Sequence, residues 1–103
     1  MMCANFASLK KEIKDLEEGG IDIFHLDVMD GSFVPNFGMG LQDIEYICKT
    51  AIKPCDVHLM IENPSKYVDK FASLGAKIIY IHPEIDPHAC RTLQMIKDAG
   101  AKA

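Results

Sequence analysis

Two short segments carry polar side chains in places where a buried strand would carry apolar ones. They are HLDVM at residues 25–29 and DVHLM at residues 56–60. Burying a carboxylate or an imidazole is costly unless another group pairs with it, and a bound cation is a common partner. These segments therefore predict a site that binds a metal ion or transfers protons.

Strand geometry predicts that three of these side chains share one face of a sheet. Side chains alternate across a strand, so His25 and Asp27 lie on one face, and His58 lies on the matching face of the next strand. Two imidazoles and one carboxylate suit a divalent transition metal. A histidine and an aspartate two residues apart can also form a purely structural pair, and the spacing alone leaves both interpretations open.

The elements that must position these residues alternate along the chain. Apolar residues at helical spacing predict four helices, and short apolar runs predict three strands, the last of them buried on both faces. Asn63 and Asp86, each followed by proline, predict capped helix starts. The alternation is typical of βαβ units and a parallel sheet, and it predicts an α/β fold. The predicted strands are 21–29, 55–61 and 78–81, and the predicted helices are 5–18, 40–50, 63–75 and 86–100.

A short repeat indicates how the chain fits into a larger fold. The tripeptide Gly-Ala-Lys at 75–77 precedes the third predicted strand and recurs at 100–102. We therefore expect residues 1–4 to end one further strand and residues 101–103 to begin another, within one larger domain. In a parallel barrel the catalytic groups lie at the carboxyl ends of the strands, which is where His25, Asp27 and His58 are predicted.

Composition argues against several classes of protein. The chain has 103 residues, with 11 basic and 15 acidic side chains and a formal net charge of −4, so we expect no nucleic-acid partner. Its apolar runs are too short to cross a bilayer, and we expect no membrane partner. Four cysteines without close spacing are typical of reduced thiols in a cytoplasmic protein.

The motifs together identify a family resemblance. HLDVMDGSFVPN at 25–36, followed by VHLM at 57–60 and GAKIIYIHPE at 75–84, closely resembles the ribulose-phosphate 3-epimerases. The resemblance implies that residues 1–103 are the first half of a (β/α)8 TIM barrel, roughly strands 1–4 with their helices, ending at the start of strand 5. It also implies a cytoplasmic, metal-dependent epimerase that inverts C3 of a ketose phosphate. That reaction interconverts D-ribulose 5-phosphate and D-xylulose 5-phosphate by two-base proton transfer through an enediolate.

The resemblance implies roles for individual residues. His25, Asp27 and His58 match ligands of one divalent metal ion (Zn, Fe, Mn or Co), and Asp27 also matches one of two catalytic carboxylates. Met29 and Met60 match apolar residues that line the site, and they are implied to bind substrate together with His58. The second catalytic aspartate and the phosphate site of the family have no counterpart in this sequence, so we expect the segment alone to be inactive.

Alternative functions follow from the same motifs. A D-allulose 6-phosphate 3-epimerase shares them, and the sequence His82-Pro-Glu84 gives a weak hint of it, although this stretch by itself predicts only a loop with an exposed charge. A non-catalytic, metal-binding half-barrel is the alternative from another class. Decarboxylating barrels with an Asp-x-Lys-x-x-Asp pattern are disfavoured, because Met29 occupies the lysine position. A half-barrel also exposes two sheet edges, so we expect a homo-oligomer.

Overall fold

Strands and helices alternate along the whole chain in the computed structural model, which describes residues 1–103. Short 3-10 turns at Phe6–Ser8 and Pro64–Lys66 precede the first and third α-helices. None of the helices is long and apolar enough to span a membrane. The main elements are α1 (Leu9–Glu18), β1 (Phe24–Met29), α2 (Leu41–Thr50), β2 (Cys55–Met60), α3 (Val68–Ser73), β3 (Ile78–Tyr80) and α4 (Ala89–Asp98).

The three strands form one parallel sheet in the order β1-β2-β3. The register places His25 opposite Asp56 and Asp27 opposite His58, while Tyr80 of β3 lies opposite His58 on its other side. The α/β fold is therefore confirmed, and the architecture is consistent with the first half of a TIM barrel. The register also brings polar residues from all three strands onto one face of the sheet.

The opposite face of the sheet packs against the helices and forms the core. Phe24, Leu26 and Val28 of β1 are buried, as are Val57 and Leu59 of β2. This confirms the predicted alternation, with apolar side chains toward the helices. Burying each such side chain contributes about 1.5–3 kcal/mol of transfer free energy, so the pattern fixes which face of each strand can bear polar groups. The helices contribute buried residues that include Ile13, Ile44, Ile47, Phe71 and Ile96.

Strand β1 begins three residues later than predicted, at Phe24 rather than at position 21. The intervening residues close the end of α1. Gly20 adopts φ +87° and its amide donates to the Glu17 carbonyl, while the Ile21 amide donates to the Leu16 carbonyl. This pattern is a Schellman motif, and it uses the Ile21 amide that a strand would need for its ladder.

The predicted helix caps at Asn63 and Asp86 are wrong. Asn63 adopts φ +51° and its side chain caps nothing; the Pro64 that follows begins a 3-10 turn ahead of α3. Asp86 Oδ1 accepts a hydrogen bond from the His88 amide at 3.0 Å, which forms a turn before α4 begins. In both places the proline starts a turn within the connection, not the α-helix itself.

The sheet is less buried and less extended at its edges than predicted. Tyr80 is 42% exposed, so the prediction that the third strand is buried on both faces is wrong. Residues 1–4 form a turn, although the Met1 amino group donates to the His25 carbonyl beside β1 at 3.0 Å. At the other edge, Lys102 forms a single parallel bridge with Ile78. That a larger domain contains residues 1–103 stays a prediction.

Candidate metal and active site

Three side chains on the polar face of β1 and β2 direct their ligand atoms into one small space. His25 is the second residue of β1, so it lies near the amino end of that strand and not at the predicted carboxyl end. The ligand atoms of His25, Asp27 and His58 all lie within 4.8 Å of one another. Asp27 Oδ1 lies between the two imidazoles, 3.2 Å from His25 Nε2 and 3.0 Å from His58 Nδ1. The parallel register produces this cluster, because Asp27 and His58 are direct neighbours across the strands.

The donor set and its spacing fit a divalent transition metal. Nitrogen and carboxylate ligands bind such ions at about 2.0–2.2 Å, which places neighbouring ligand atoms roughly 3.0–3.5 Å apart. The two distances from Asp27 Oδ1 to the imidazole nitrogens fall in this range. The side chains of Asp27 and His58 are 23% and 25% exposed, so an ion and a substrate can both reach them.

His25 is oriented by a buried carboxylate to which we assigned no role in the sequence. Asp56 is 5% exposed, and its Oδ1 lies 2.5 Å from His25 Nδ1, which donates to it. The Tyr80 hydroxyl lies 3.5 Å from the other carboxylate oxygen. Histidine ligands usually donate their second ring nitrogen to a carboxylate or carbonyl group, which fixes the tautomer and the ring plane. Asp56 therefore holds His25 with Nε2 directed toward Asp27.

His82 contacts the site directly, which the sequence did not predict. Its Nε2 lies 2.7 Å from His58 Nε2, and its Nδ1 lies 3.2 Å from Glu84 Oε1. The Phe33 ring packs against the His82 ring with a centroid distance of 4.9 Å. The loop after β3 therefore contributes more than an exposed charge. The available signal was position: His82 follows a parallel strand at the same edge of the sheet as His58.

The loop after β1 is anchored to the loop after β2 by one carboxylate. Asp30 Oδ1 accepts from the amides of Ser32 and Phe33 at 2.9 and 3.0 Å, and Oδ2 accepts from the Glu62 amide at 2.7 Å. The amide of Glu62 and then that of Ser32 lower the pKa of the Asp30 carboxyl, because both stabilise its charged form. Ser32 Oγ also donates to Glu62 Oε1 at 2.6 Å.

The loop returns to β1 at a glycine. The Gly38 amide donates to the Met29 carbonyl and the Met39 amide donates to the Asp27 carbonyl, both at 3.1 Å. A Cβ on Gly38 would lie 2.7 Å from the Asp27 oxygen, closer than two such atoms can approach. Met29 itself lies opposite Met60 in the register, and both are partly exposed just beyond the ligand cluster.

Known proteins match the whole chain. A sequence model described as "Ribulose-phosphate 3 epimerase family" matches residues 1–103. A protein named ribulose-phosphate 3-epimerase from Bacillus subtilis (strain 168) is 50% identical over 103 residues, which are 100% of this chain and 48% of that protein. Another of the same name from Aquifex aeolicus (strain VF5) is 47% identical over 103 residues, again 100% of this chain, and 46% of its own length is covered.

A third relative, the ribulose-phosphate 3-epimerase of Synechocystis, is 47% identical over 105 residues, with 100% of this chain and 46% of the relative covered. The chain thus spans about half the length of the curated relatives it matches. The matched residues include strands β1 and β2, which carry His25, Asp27 and His58. The resemblance inferred from the motifs is confirmed, and the chain belongs to the ribulose-phosphate 3-epimerase family.

Proposed function

We propose that the whole protein carrying this chain is a ketose-phosphate 3-epimerase that uses one divalent metal ion. The proposed reaction interconverts D-ribulose 5-phosphate and D-xylulose 5-phosphate. One observation carries the proposal: the ligand atoms of His25, Asp27 and His58 lie within 4.8 Å of one another in a chain of this family. The names of the relatives support the choice of substrate.

The proposed metal ligands are His25 Nε2, the Asp27 carboxylate and His58 Nδ1, for an ion such as zinc, iron, manganese or cobalt. When bound, such an ion acts as a Lewis acid that polarises a carbonyl group and stabilises negative charge on oxygen. The role of the protein is to hold the three donors in place. Asp56 supports this role by fixing the orientation of the His25 ring through the 2.5 Å contact.

Asp27 is the proposed acid/base group of this chain. The C3 proton of a ketose phosphate is acidic because the neighbouring C2 ketone delocalises the remaining charge as an enediolate. Asp27 lies partly exposed between two imidazoles, so its carboxylate is accessible to a substrate. Inversion requires a second acid/base group on the opposite face of the planar intermediate, and we propose that this group lies outside residues 1–103.

Met29, Met60 and His58 are the proposed substrate contacts. The two methionines end adjacent strands, two residues beyond a proposed ligand on each strand. Their flexible apolar side chains can pack against a sugar backbone and exclude water from the reacting carbon. Exclusion of water strengthens the electrostatic interactions on which charge stabilisation depends.

Exchange of the C3 proton with solvent tests the proposal. The whole protein, loaded with Zn²⁺, is incubated with D-ribulose 5-phosphate in deuterated water, and deuterium at C3 is followed by NMR. We expect wild-type protein to incorporate deuterium and the Asp27→Asn variant to lose about 10²–10⁴-fold in rate. Asp22→Asn is a matched control, because Asp22 is an exposed carboxylate on the connection before β1.

The same assay separates the alternatives. Full exchange by Asp27→Asn would contradict the role of Asp27, and absence of exchange in the wild-type protein would favour a non-catalytic, metal-binding barrel. A parallel assay with D-allulose 6-phosphate tests the six-carbon substrate. We expect D-ribulose 5-phosphate to give the higher kcat/KM, and the reverse preference would reassign the substrate.

We further propose that the protein is cytoplasmic and that the 103-residue chain by itself self-associates. All four cysteines are free thiols, which is typical of a reducing compartment. The sheet supports self-association, because its outer strands β1 and β3 each pair with a strand on one side only. The other side of β1 receives a hydrogen bond from Met1, and that of β3 forms one bridge with Lys102. Exposed apolar side chains such as Phe37 and Ile52, at 79% and 90%, add surface that favours association.

A further inference from the structure

A continuous chain of contacts leads from the proposed metal ligand His58 to the solvent. His58 Nε2 lies 2.7 Å from His82 Nε2, and His82 Nδ1 lies 3.2 Å from Glu84 Oε1. The His58 and His82 rings are 4.9 Å apart between centroids and tilted by 34°. We call these three residues the histidine relay. His58 is the only member that also faces Asp27.

The donors and acceptors in the histidine relay determine which ring nitrogen of each histidine carries the hydrogen. Glu84 is a carboxylate and can only accept, so the hydrogen on His82 belongs on Nδ1. A neutral His82 then has a free lone pair on Nε2. Two imidazole nitrogens 2.7 Å apart need one hydrogen between them, and His58 must supply it. With its hydrogen on Nε2, neutral His58 presents a free lone pair on Nδ1, the atom that faces Asp27.

We propose that His82 and Glu84 are positioning residues that hold His58 in the tautomer required for a metal ligand. This inference rests on the proposed metal site and adds to it the residues that keep the His58 Nδ1 lone pair available. The two proposed histidine ligands are then held in their tautomers by different hydrogen-bond acceptors. His25 donates to the buried carboxylate of Asp56, whereas His58 donates to a second imidazole.

The surroundings of His82 favour this role over that of a loop residue. Its side chain is 28% exposed, and the Phe33 ring packs against it at a centroid distance of 4.9 Å. This packing restricts the His82 ring and keeps its Nε2 directed at His58. Glu84 is 61% exposed and hydrogen-bonds His82 from the solvent side, which suits a residue that orients a neighbour.

Zn²⁺ affinity measured by competition calorimetry on the whole protein tests the proposal. His82→Phe keeps an aromatic ring but cannot accept, and we expect it to bind Zn²⁺ about 10–100-fold more weakly than wild type. His82→Gln keeps an acceptor oxygen near the position of Nε2, and we expect it to recover most of the affinity. His88→Phe is the matched control, because His88 is exposed and its ring has no hydrogen bond.

A spectroscopic measurement separates positioning from general support of the fold. In Zn²⁺-loaded protein labelled with ¹⁵N-histidine, we expect the His58 Nε2 hydrogen to show a scalar coupling to His82 Nε2 across the hydrogen bond. The coupling should disappear in His82→Phe. Glu84→Gln should keep the fold and weaken Zn²⁺ binding less than His82→Phe, since an amide oxygen can still accept.

The Zn²⁺ affinities of these variants distinguish an error in the histidine relay from an error in the metal site. Unchanged Zn²⁺ affinity in His82→Phe, with loss of affinity in His25→Gln, would overturn the histidine relay and leave the three ligands in place. A wild-type protein that binds no Zn²⁺, or whose affinity survives His25→Gln, would overturn the metal site and the relay with it. Weak binding by both His82→Phe and His82→Gln, with no coupling in wild type, would also overturn the relay.

Discussion

At the scale of single residues, the site depends on side chains that touch the proposed ligands as well as on the ligands themselves. Asp56 is the clearest case, because it is buried and its carboxylate contacts His25 Nδ1 at 2.5 Å. A carboxylate so placed accepts the ring hydrogen and leaves His25 Nε2 free. The parallel register makes this contact possible by placing the two residues directly opposite each other.

We expect the Asp56→Asn substitution to weaken Zn²⁺ binding about 10–100-fold, because an amide is a poorer acceptor and can present its donor side to His25. Calorimetry on the whole protein measures this loss, and thermal denaturation without metal checks the fold. Asp22→Asn serves as the control, because it removes an acidic charge from an exposed position. Zn²⁺ affinity equal to that of the wild type would show that His25 needs no such support.

The sequence predicted that His25, Asp27 and His58 lie together, but it did not predict the contacts that support them. His25, Asp27 and His58 follow from alternation within each strand, which is a local property. The contacts of Asp56 and His82 depend on how neighbouring strands are aligned and on where the following loops return. These features are set by the packing of helices against the sheet. The position of His82 after a parallel strand was a signal that it lies near His58, but the local sequence did not show which atoms would be in contact.

At the scale of elements, the loop between β1 and α2 must lie tightly against the end of β1. Gly38 makes this possible, because a Cβ there would lie 2.7 Å from the Asp27 carbonyl oxygen and 2.9 Å from the Met29 nitrogen. Both atoms belong to the backbone of the strand that carries Asp27. Any side chain on Gly38 therefore has to displace either the loop or the strand end.

We expect Gly38→Ala to reduce the free energy of unfolding by about 1–3 kcal/mol, the usual cost of forcing extra volume into packed structure. Gly40→Ala is the matched control, because its Cβ would meet Asp43 Oδ2 at an ordinary 3.6 Å. Its cost should stay near 0.5 kcal/mol, as for a change of N-cap residue. Urea denaturation of both variants measures the difference, and equal losses would contradict this explanation of Gly38.

Element types could be predicted from the sequence more reliably than element ends. The apolar periodicity is strong in α1 and in strands β1 and β2, so the sequence predicted these elements clearly. The helix caps predicted at Asn63 and Asp86 were wrong, because a capping residue followed by proline also suits a turn inside a connection. Whether such a pair starts a helix or forms a turn depends on the distance between the end of the strand and the start of the helix.

At the scale of the whole molecule, the three-stranded sheet has exposed edges. Strands β1 and β3 are its outer strands. One hydrogen bond from the Met1 amino group reaches the edge of β1, and one bridge of two hydrogen bonds formed by Lys102 reaches the edge of β3. Unpaired edge groups are a template for pairing with another chain. The α/β class and the parallel sheet could be predicted because strands and helices alternate along the chain. Which segments pair with the outer strands could not be predicted, because that depends on contacts between distant parts of the protein.

We expect the isolated 103-residue chain to associate and to show no epimerase activity, because its edges are unpaired and it has only one proposed catalytic carboxylate. Sedimentation velocity across a range of concentrations measures association, and an epimerisation assay with added Zn²⁺ measures activity. A monodisperse monomer with a cooperative melting transition, or clear turnover, would contradict this view.

We propose that His25, Asp27 and His58 together hold one metal ion. Anomalous diffraction at the zinc edge, from crystals of the whole protein grown with Zn²⁺, tests it most directly. We expect one strong peak about 2.0–2.2 Å from His25 Nε2, an Asp27 carboxylate oxygen and His58 Nδ1. A peak held by other residues, or no peak among these three side chains, would contradict it.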